Sequence, residues 1–307
     1  MNKVINRVWA LVVCYHPEPY TLMKLVRSIS PQVSLVRILN NGGLSTGLRE
    51  DLQIVNNVTI DDFESNIGIG SALNFGFNLA DQSSIEFVVT FDQDSLPSDR
   101  HVETLVSHWR TLSKSEVHKK TGALGPSFYD VRAETFHYPF IRANGLNIDR
   151  VFRQNGVNIV KVDFLITSGM LVPVSMWKYG LKFKDEYFID YVDTEWCSRA
   201  SADGFQHYGC FDVAMQHQLS DASGKSFFGL TILKYSPLRR YYYFRNSVFC
   251  IRCSYVPFAF RVRIFFGLLL RLVAIPFVDD NPIASLKNAV LGLFHAFVFG
   301  KTGKLVE

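Results

Sequence analysis

Two aspartates follow directly on an apolar stretch at residues 85–91. Val88 and Val89 favour a buried strand, typical of a parallel sheet. Side chains two positions apart on an extended chain point the same way, so Asp92 and Asp94 can present both carboxylates beyond the strand, where open α/β sheets bind ligands. Close carboxylates repel each other unless a cation lies between them, and oxygen ligands suit Mg²⁺ or Mn²⁺, which commonly hold phosphate oxygens. The pair therefore predicts a metal site, with a solvated turn as the alternative.

A second acidic cluster, Asp190, Asp193 and Glu195, lies later in the chain. On a helix, Asp190 and Asp193 would share one face while Glu195 points elsewhere. Asp190 is a good N-cap, and Asp193 completes something like a capping box. Alternatively, one carboxylate near a phosphate and metal site is a general base that deprotonates an incoming nucleophile. The two interpretations are compatible, with Asp190 capping a helix and Asp193 acting in catalysis.

A histidine and a group of arginines add candidate ligands for the metal and the phosphate. His217 can be a third metal ligand beside two carboxylates, although a lone histidine is more often structural. The arginines of segment 239–246 match phosphate geometry and could neutralise a leaving diphosphate. Their alternative is a surface helix with an aromatic core face.

The elements that position these residues alternate between strand and helix. Residues 9–14, 33–39 and 85–91 are predicted strands, and Ile54 and Val55 with Val58 to Ile60 suggest another strand or part of one. Residues 20–29 form a predicted helix, and a glycine-bearing loop at Asn66 and Gly68 leads into another helix. This alternation predicts a mostly parallel sheet with helices on both faces. The turns that follow the strands then lie on one edge, where one ligand can touch all of them.

Basic residues are concentrated at the C-terminal end of the chain of 307 residues. Segment 225–307 has twelve lysines and arginines against three acidic residues, whereas residues 1–224 have 20 against 25. The basic segment is also rich in apolar and aromatic residues, which favours an anionic membrane surface over nucleic acid. We interpret residues 261–276 and 289–299 as amphipathic helices on the inner membrane face. A bundle packed on the catalytic domain, or a dimer contact, is the alternative. Five scattered cysteines indicate free thiols in a reducing compartment.

Taken together, these motifs resemble family 2 inverting glycosyltransferases of the GT-A fold, most closely the bacterial rhamnosyltransferases of O-antigen and other surface-polysaccharide assembly. The resemblance spans roughly residues 8–250. It rests on several short motifs in the right order: Cys14-Tyr15-His16-Pro17, Asn66-x-Gly68 with Ala72 and Asn74, Asp92-Gln93-Asp94-Ser95, Ser168-Gly169, the cluster at 190–199, His217, and Arg240-Tyr241-Tyr242-x-x-Arg245-Asn246.

The resemblance implies an α/β GT-A catalytic domain over residues 1–250 and a basic, apolar helical region over 251–307. It implies Mg²⁺ or Mn²⁺ held by Asp92, Asp94 and His217, and Asp193 as the base, alone or shared with Asp190. The implied residues that bind the sugar nucleotide are Tyr15, His16, Asn40, Asn66, Gly68, Asn74, Asp92, Gln93, Arg240 and Arg245. The chain departs from the family at Asn40, where an aspartate usually contacts the nucleobase, and at Val192, where a glutamate usually precedes the base.

The implied reaction moves L-rhamnose from dTDP-L-rhamnose onto a hydroxyl of a saccharide acceptor, carried on undecaprenyl diphosphate. The expected location is cytoplasmic, peripheral on the inner face of the membrane, with no nucleic-acid partner and with a homo-oligomer possible. Alternatives are a UDP- or GDP-sugar substrate and a non-catalytic carbohydrate-binding or scaffold protein at the membrane. A nucleotidyltransferase is disfavoured, because His16-Pro17-Glu18-Pro19 is not the glycine-rich, basic phosphate loop that such enzymes usually carry after the first strand.

Overall fold

A computed structural model describes residues 7–114, 120–129, 138–216, 225–227 and 230–298. The strands are β1 Val8–Cys14, β2 Leu35–Asn40, β3 Val58–Asp62, β4 Phe87–Asp92, β5 Leu96–Pro97, β6 Thr121–Tyr129, β7 Phe140–Asn144, β8 Asn147–Val151, β9 Ile159–Val162, β10 Met170–Pro173, β11 Gln206–Gln216, β12 Lys225–Phe227 and β13 Leu230–Ile232. The α-helices are α1 Pro19–Ile29, α2 Thr46–Gln53, α3 Gly68–Gln82, α4 His101–Ser113, α5 Val174–Lys178, α6 Val192–Ala202, α7 Pro237–Arg252, α8 Phe258–Val278 and α9 Pro282–Val298.

Nine of the described strands form one sheet in the order β3-β2-β1-β4-β10-β6-β11-β5, with β9 paired to β11. Strands β3, β2, β1 and β4 are parallel neighbours, and β11 is parallel to β6. Strand β10 runs antiparallel to both β4 and β6, and β5 and β9 run antiparallel to β11. The predicted mostly parallel sheet is confirmed, with β10 as the antiparallel strand at its centre.

The central strands are buried on both faces. Strands β1 and β4 are runs of valine, leucine and aromatic residues without polar alternation, as two-sided burial requires. Two apolar clusters cover the two faces of the sheet: one includes Phe77 of α3, and the other includes Leu22 of α1. Helices packed on both faces therefore hold β1 and β4 in position, and the carboxyl ends of these parallel strands lie side by side at one edge of the sheet.

Helix α2 replaces part of a predicted strand. Ile54 and Val55 suggested strand structure, but Ile54 is the C-cap of α2 and β3 begins at Val58. Leu48 and Leu52 are the buried residues of α2, spaced one helical turn apart. This helical spacing outweighed the β-propensity of the short apolar pair.

The last three helices pack on each other. A Cβ atom on Gly292 of α9 would overlap the backbone oxygen of Tyr241 in α7, so the two backbones touch where only glycine fits. Helix α7 crosses the predicted domain boundary at residue 250, and α8 continues through Pro276, where the sequence predicted its end. Across the described ranges, no helix combines the length and apolar character needed to cross a membrane.

Candidate functional site

A cleft of about 450 Å³ lies at the carboxyl ends of β1 and β4. We call it the aspartate cleft. Six of the residues predicted from the sequence line it: Tyr15, Asn66, Gly68, Asp92, Gln93 and Asp94. Asn41, Phe188, Ile189 and Arg239 contribute further lining. Parallel strands with matching carboxyl ends bring these distant segments together, as expected for an open α/β sheet.

The two aspartates differ in their surroundings. Asp92 is the last residue of β4 and is partly buried, whereas Asp94 is exposed in the turn that follows. Burial and, to a smaller extent, the nearby carboxylates of Asp94 and Asp193 together raise the pKa of Asp92 to about 7, against the opposing effect of Arg239. The cleft therefore concentrates negative charge at one point.

Hydrogen bonds to the loop before β10 hold the turn that carries the two aspartates. The Ser95 hydroxyl is hydrogen-bonded to the Ser168 hydroxyl, and both side chains are buried. The backbone N–H of Gly169 donates to the Thr90 oxygen at 2.6 Å, and the Gly169 oxygen contacts Nε2 of the buried His101 at 2.9 Å. These bonds hold the end of β4 against the loop before β10, so the aspartates have a fixed position.

Amide side chains shape the opposite wall of the cleft. Gln93 accepts a hydrogen bond from the Tyr15 backbone N–H at 2.8 Å and so ties the ends of β1 and β4 together. Asn41 accepts from the Ile67 N–H at 3.2 Å and donates to the Gly68 oxygen at 3.4 Å. Gly68 has φ +82°, and a Cβ atom there would lie 2.7 Å from the Phe188 ring, so this position requires glycine.

An arginine crosses from the C-terminal helices to the cleft. Arg239, in the first turn of α7, forms a two-pronged ion pair with the Asp190 carboxylate at 3.0 and 3.2 Å. Asp190 lies in a turn where Phe188, Asp190 and Tyr191 all have positive φ. The Asn246 amide, also from α7, holds that turn by donating to three of its backbone oxygens at 2.6 to 3.1 Å. Helix α7 therefore builds one wall of the cleft.

Asp193 lies in the first turn of α6. Its Oδ1 accepts hydrogen bonds from the Thr194 backbone N–H at 2.7 Å and from the Thr194 hydroxyl at 3.4 Å. Burial raises the pKa of Asp193, and the Asp190 charge raises it further, although the bonds from Thr194 oppose the shift. A carboxylate with a raised pKa is a stronger base.

Comparison with known proteins gives the fold. No family model matches the chain. The dTDP-rhamnosyl transferase RfbF of Shigella flexneri is 29% identical over 300 residues, which cover 97% of each protein. The solved structure of S. aureus TarS 1-349 matches with a TM-score of 0.55 at 15% identity, covering 94% of this chain and 80% of that chain. GalNAc-T7, solved with UDP, GalNAc and Mn²⁺, matches with a TM-score of 0.56 at 14% identity, covering 86% and 55%. The chain has the GT-A fold.

The predicted resemblance to GT-A glycosyltransferases, and to bacterial rhamnosyltransferases in particular, is confirmed by these matches. TarS has also been solved with UDP-GlcNAc and with UDP. TarS and GalNAc-T7 have thus both been solved with a nucleotide or nucleotide sugar bound.

Three predicted ligand residues have other partners in this GT-A chain. The Asn40 amide donates to Asp62 at 2.7 Å and accepts from the Gly42 N–H at 3.0 Å, and Asn41 lines the cleft in its place. Asn74 bridges Phe183 and Asp185 and so fastens α3 to the segment before α6. His16 packs against the Tyr15 ring and over Gly43, beside the cleft rather than in its lining.

The predicted arginines are also corrected. Arg240 is fully buried and paired with Asp279 at 2.6 and 2.8 Å, and Arg245 is fully buried with its guanidinium on the Glu186 oxygen. On α7 these positions face the helical core, while Arg239 lines the cleft. The sequence showed the adjacent arginines but not which one the helix turns outward.

Asp190 does not cap a helix. Helix α6 begins at Val192, and its N-cap is Tyr191, which has a left-handed backbone and makes no side-chain capping bond. Since Asp190 precedes the helix, the predicted shared helical face with Asp193 is also wrong. His217 lies outside the described residues.

The cleft fits a divalent cation. In the described part of the chain, no cluster of three or more His, Cys, Asp or Glu residues is arranged to hold a metal ion. Mg²⁺ sites often use only one or two carboxylates together with substrate phosphates. Asp92 and Asp94 supply such a pair, and besides burial the charges of Asp94 and Asp193 add to the raised pKa of Asp92, charges that a cation would neutralise.

Proposed function

We propose that the protein is an inverting glycosyltransferase that moves L-rhamnose from dTDP-L-rhamnose onto a hydroxyl of a saccharide acceptor in surface-polysaccharide synthesis. The observation that carries the proposal is the grouping of Asp92, Asp94 and Arg239 in one cleft, with Asp193 close enough to raise the pKa of Asp92. The relation to the Shigella rhamnosyltransferase over 97% of both chains supports the sugar and the nucleotide.

The diphosphate of the sugar nucleotide would lie between the aspartates and Arg239. Asp92 and Asp94 would hold Mg²⁺ or Mn²⁺, which when bound neutralises the charge that develops on the leaving diphosphate. Arg239 offers a planar guanidinium that matches phosphate oxygens. Tyr15, with half of its side chain exposed at the cleft, offers a ring for the nucleobase.

Asp193 would be the general base. Its carboxylate takes the proton of an acceptor hydroxyl, and the hydroxyl oxygen forms a bond to the anomeric carbon from the face opposite the diphosphate. The bond between the anomeric carbon and the diphosphate oxygen breaks, and the electron pair leaves with dTDP. Asp190 contributes by holding Arg239, so its role is positioning the arginine.

Isothermal titration with dTDP, UDP and GDP, each with and without Mn²⁺, tests this proposal. We expect dTDP to bind in a Mn²⁺-dependent manner, and Asp94→Ala to abolish the Mn²⁺ dependence. Asp99→Ala, which removes an exposed aspartate outside the cleft, is the matched control. Preferential binding of UDP or GDP would overturn the rhamnose assignment, and binding of no nucleotide would favour the non-catalytic alternative.

An apolar surface on the C-terminal helices supports a membrane location. Helix α8 exposes apolar side chains one helical turn apart, and α9 exposes a second such row; we call the two rows together the outer helical face. The residues on α8 are Phe265, Phe266, Leu269, Val273 and Phe277, and those on α9 are Val290, Phe294 and Phe297. Arg263 and Lys287 are exposed on the same helices. Apolar residues beside basic ones suit the head-group region of an anionic membrane. We infer peripheral attachment to the cytoplasmic face, which brings the enzyme to a lipid-linked acceptor such as an undecaprenyl diphosphate saccharide.

Vesicle flotation tests the attachment. Protein should float with vesicles of phosphatidylglycerol and phosphatidylcholine, and Phe266→Asp with Phe297→Asp should abolish flotation, because both side chains are more than 60% exposed. Tyr20→Asp, at an equally exposed ring on α1, is the control. If the double variant floats as the wild type does, the outer helical face is not the membrane-binding surface. If the protein forms a salt-resistant dimer that buries this face, the face is a contact between subunits instead.

A further inference from the structure

Two aliphatic residues, Ile189 and Leu233, line the aspartate cleft. Leu233 is 39% exposed and Ile189 is partly exposed, so both side chains present apolar surface to a ligand in the cleft. Phe188, the neighbour of Ile189, is instead stacked on Tyr242 with ring centroids 4.6 Å apart. Binding of the nucleotide by the aspartates, Arg239 and Tyr15 leaves the surface of Ile189 and Leu233 for another part of the ligand.

Both residues adjoin groups that hold Arg239, the proposed diphosphate ligand. Ile189 precedes Asp190, whose carboxylate pairs with the Arg239 guanidinium at 3.0 and 3.2 Å. Leu233 lies two residues before Tyr235, and the same guanidinium lies over the Tyr235 ring at 4.2 Å from its centroid. Because the transferred sugar is joined directly to the diphosphate, a phosphate on Arg239 would bring the sugar beside these two side chains.

Helix α7 fixes the backbone of both residues. The Asn246 amide donates to the Ile189 oxygen at 2.7 Å, and the Arg240 guanidinium donates to the Leu233 oxygen at 2.9 Å. Asn246 and Arg240 are both fully buried, so these bonds are shielded from water. The helix that presents Arg239 therefore also places Ile189 and Leu233, and the three lining residues have fixed relative positions.

Aliphatic side chains in a fixed place favour an apolar group of the ligand. Ligand sites combine such apolar walls with a few polar groups that fix orientation. A hydroxyl placed against the two side chains would give up its hydrogen bonds to water without a new partner, which weakens binding. In a 6-deoxy sugar such as L-rhamnose, carbon 6 is a methyl group, whereas other hexoses carry a hydroxyl on it. This methyl group matches the aliphatic surface.

We propose that Ile189 and Leu233 contact the methyl group at carbon 6 of the transferred sugar and so select 6-deoxy sugars over hexoses that carry a hydroxyl there. This inference rests on the proposed transfer from a sugar nucleotide. It also makes the buried Arg240 and Asn246 positioning residues, because they act on the sugar only through the backbone of the two aliphatic residues.

Isothermal titration in Mn²⁺ without an acceptor tests the selection with dTDP-L-rhamnose and synthetic dTDP-L-mannose, which differ only in the hydroxyl on carbon 6. The wild type should bind dTDP-L-rhamnose roughly ten- to a hundredfold more tightly. Leu233→Asn, which replaces the leucine side chain by an amide of similar size, should reduce this preference to about threefold or less, and Ile189→Thr should act in the same direction. Leu146→Asn, the same replacement at a 77% exposed leucine outside the cleft, is the control and should keep the wild-type preference.

Titration with dTDP, which carries no sugar, reports the proposed function separately, and its affinity should be equal in the wild type and all three variants. If dTDP does not bind to the wild type, the proposed function itself fails. If dTDP binds but the two sugar nucleotides bind equally well, or if both cleft variants keep the wild-type preference, the selection assigned to Ile189 and Leu233 is wrong. If the cleft variants instead lose a preference for dTDP over dUDP, the two side chains contact the methyl group of thymine, which would equally overturn the proposal.

Discussion

Replacement of Asp92 by asparagine should stabilise the protein in the absence of metal. The pKa of Asp92 rises from its ordinary value of 3.8 to about 7 in the folded chain, because burial and two neighbouring carboxylates disfavour its charge. The folded state therefore holds the proton more tightly than the unfolded chain does. Ionisation of Asp92 costs native stability from about pH 4 upwards, and the cost becomes constant above about pH 7.

The size of the effect follows from the difference between the two pKa values. At 1.36 kcal/mol for each tenfold change, the full cost at pH 8 is about 4 kcal/mol. Water and side-chain relaxation around a partly exposed carboxylate reduce this to about 2 kcal/mol. At pH 5 the same reasoning gives about 1 kcal/mol or less. Asparagine keeps the shape of the side chain and removes the charge, so it should recover these amounts.

Urea unfolding, followed by tryptophan fluorescence in EDTA at pH 5 and pH 8, measures both values. Asp99→Asn, at an exposed position outside the cleft, is the control and should change neither. Mn²⁺ should stabilise the wild type and leave the Asp92→Asn protein unaffected, because the cation binds the native carboxylate pair. A variant no more stable than the wild type at pH 8, or an equal gain at both pH values, would refute this account of the cleft.

Three further outcomes test other contacts. Arg240→Ala should lower the free energy of unfolding by about 3 to 5 kcal/mol, since it leaves Asp279 as an uncompensated charge; the double variant with Asp279→Leu should recover most of the loss in urea titrations. Gly292→Ala should cost about 1 to 3 kcal/mol in the same assay, because the added methyl group overlaps the Tyr241 oxygen; a neutral result would show that α9 can shift. Arg239→Ala should weaken dTDP binding by roughly tenfold or more in calorimetry, with Arg239→Lys recovering only part; unchanged affinity would remove the arginine from the diphosphate site.

Features that depend on nearest neighbours in sequence were predictable. The apolar run before Asp92 marked β4, and the strand-helix alternation gave the sheet and its ligand-binding edge. Asp92, Asp94 and Gln93 follow from that edge directly, because residues beyond a buried parallel strand have few other places to lie.

Features set by tertiary packing were not predictable. The choice among Arg239, Arg240 and Arg245 depends on the rotation of α7 against α8 and α9, which no local pattern specifies. Asn41 rather than Asn40 lines the cleft because the Asn40 amide is hydrogen-bonded to Asp62 on the neighbouring strand β3. The positive φ angles of Phe188, Asp190 and Tyr191 gave no signal, because none of these residues is glycine and the turn is stabilised from α7 by Asn246.

Helix α7 determines how attachment and catalysis can be separated experimentally. It carries Arg239 at the cleft, Asn246 under the wall of the cleft, and the surface on which α9 packs. A shortened form that ends at residue 250 would lose Asp279, the partner of the buried Arg240, and would uncover the apolar side of the helix. We therefore expect such a protein to be inactive and insoluble, whatever the membrane contributes. Only point substitutions on the outer helical face leave α7 intact, so only they can yield an enzyme that is released from lipid and still complete.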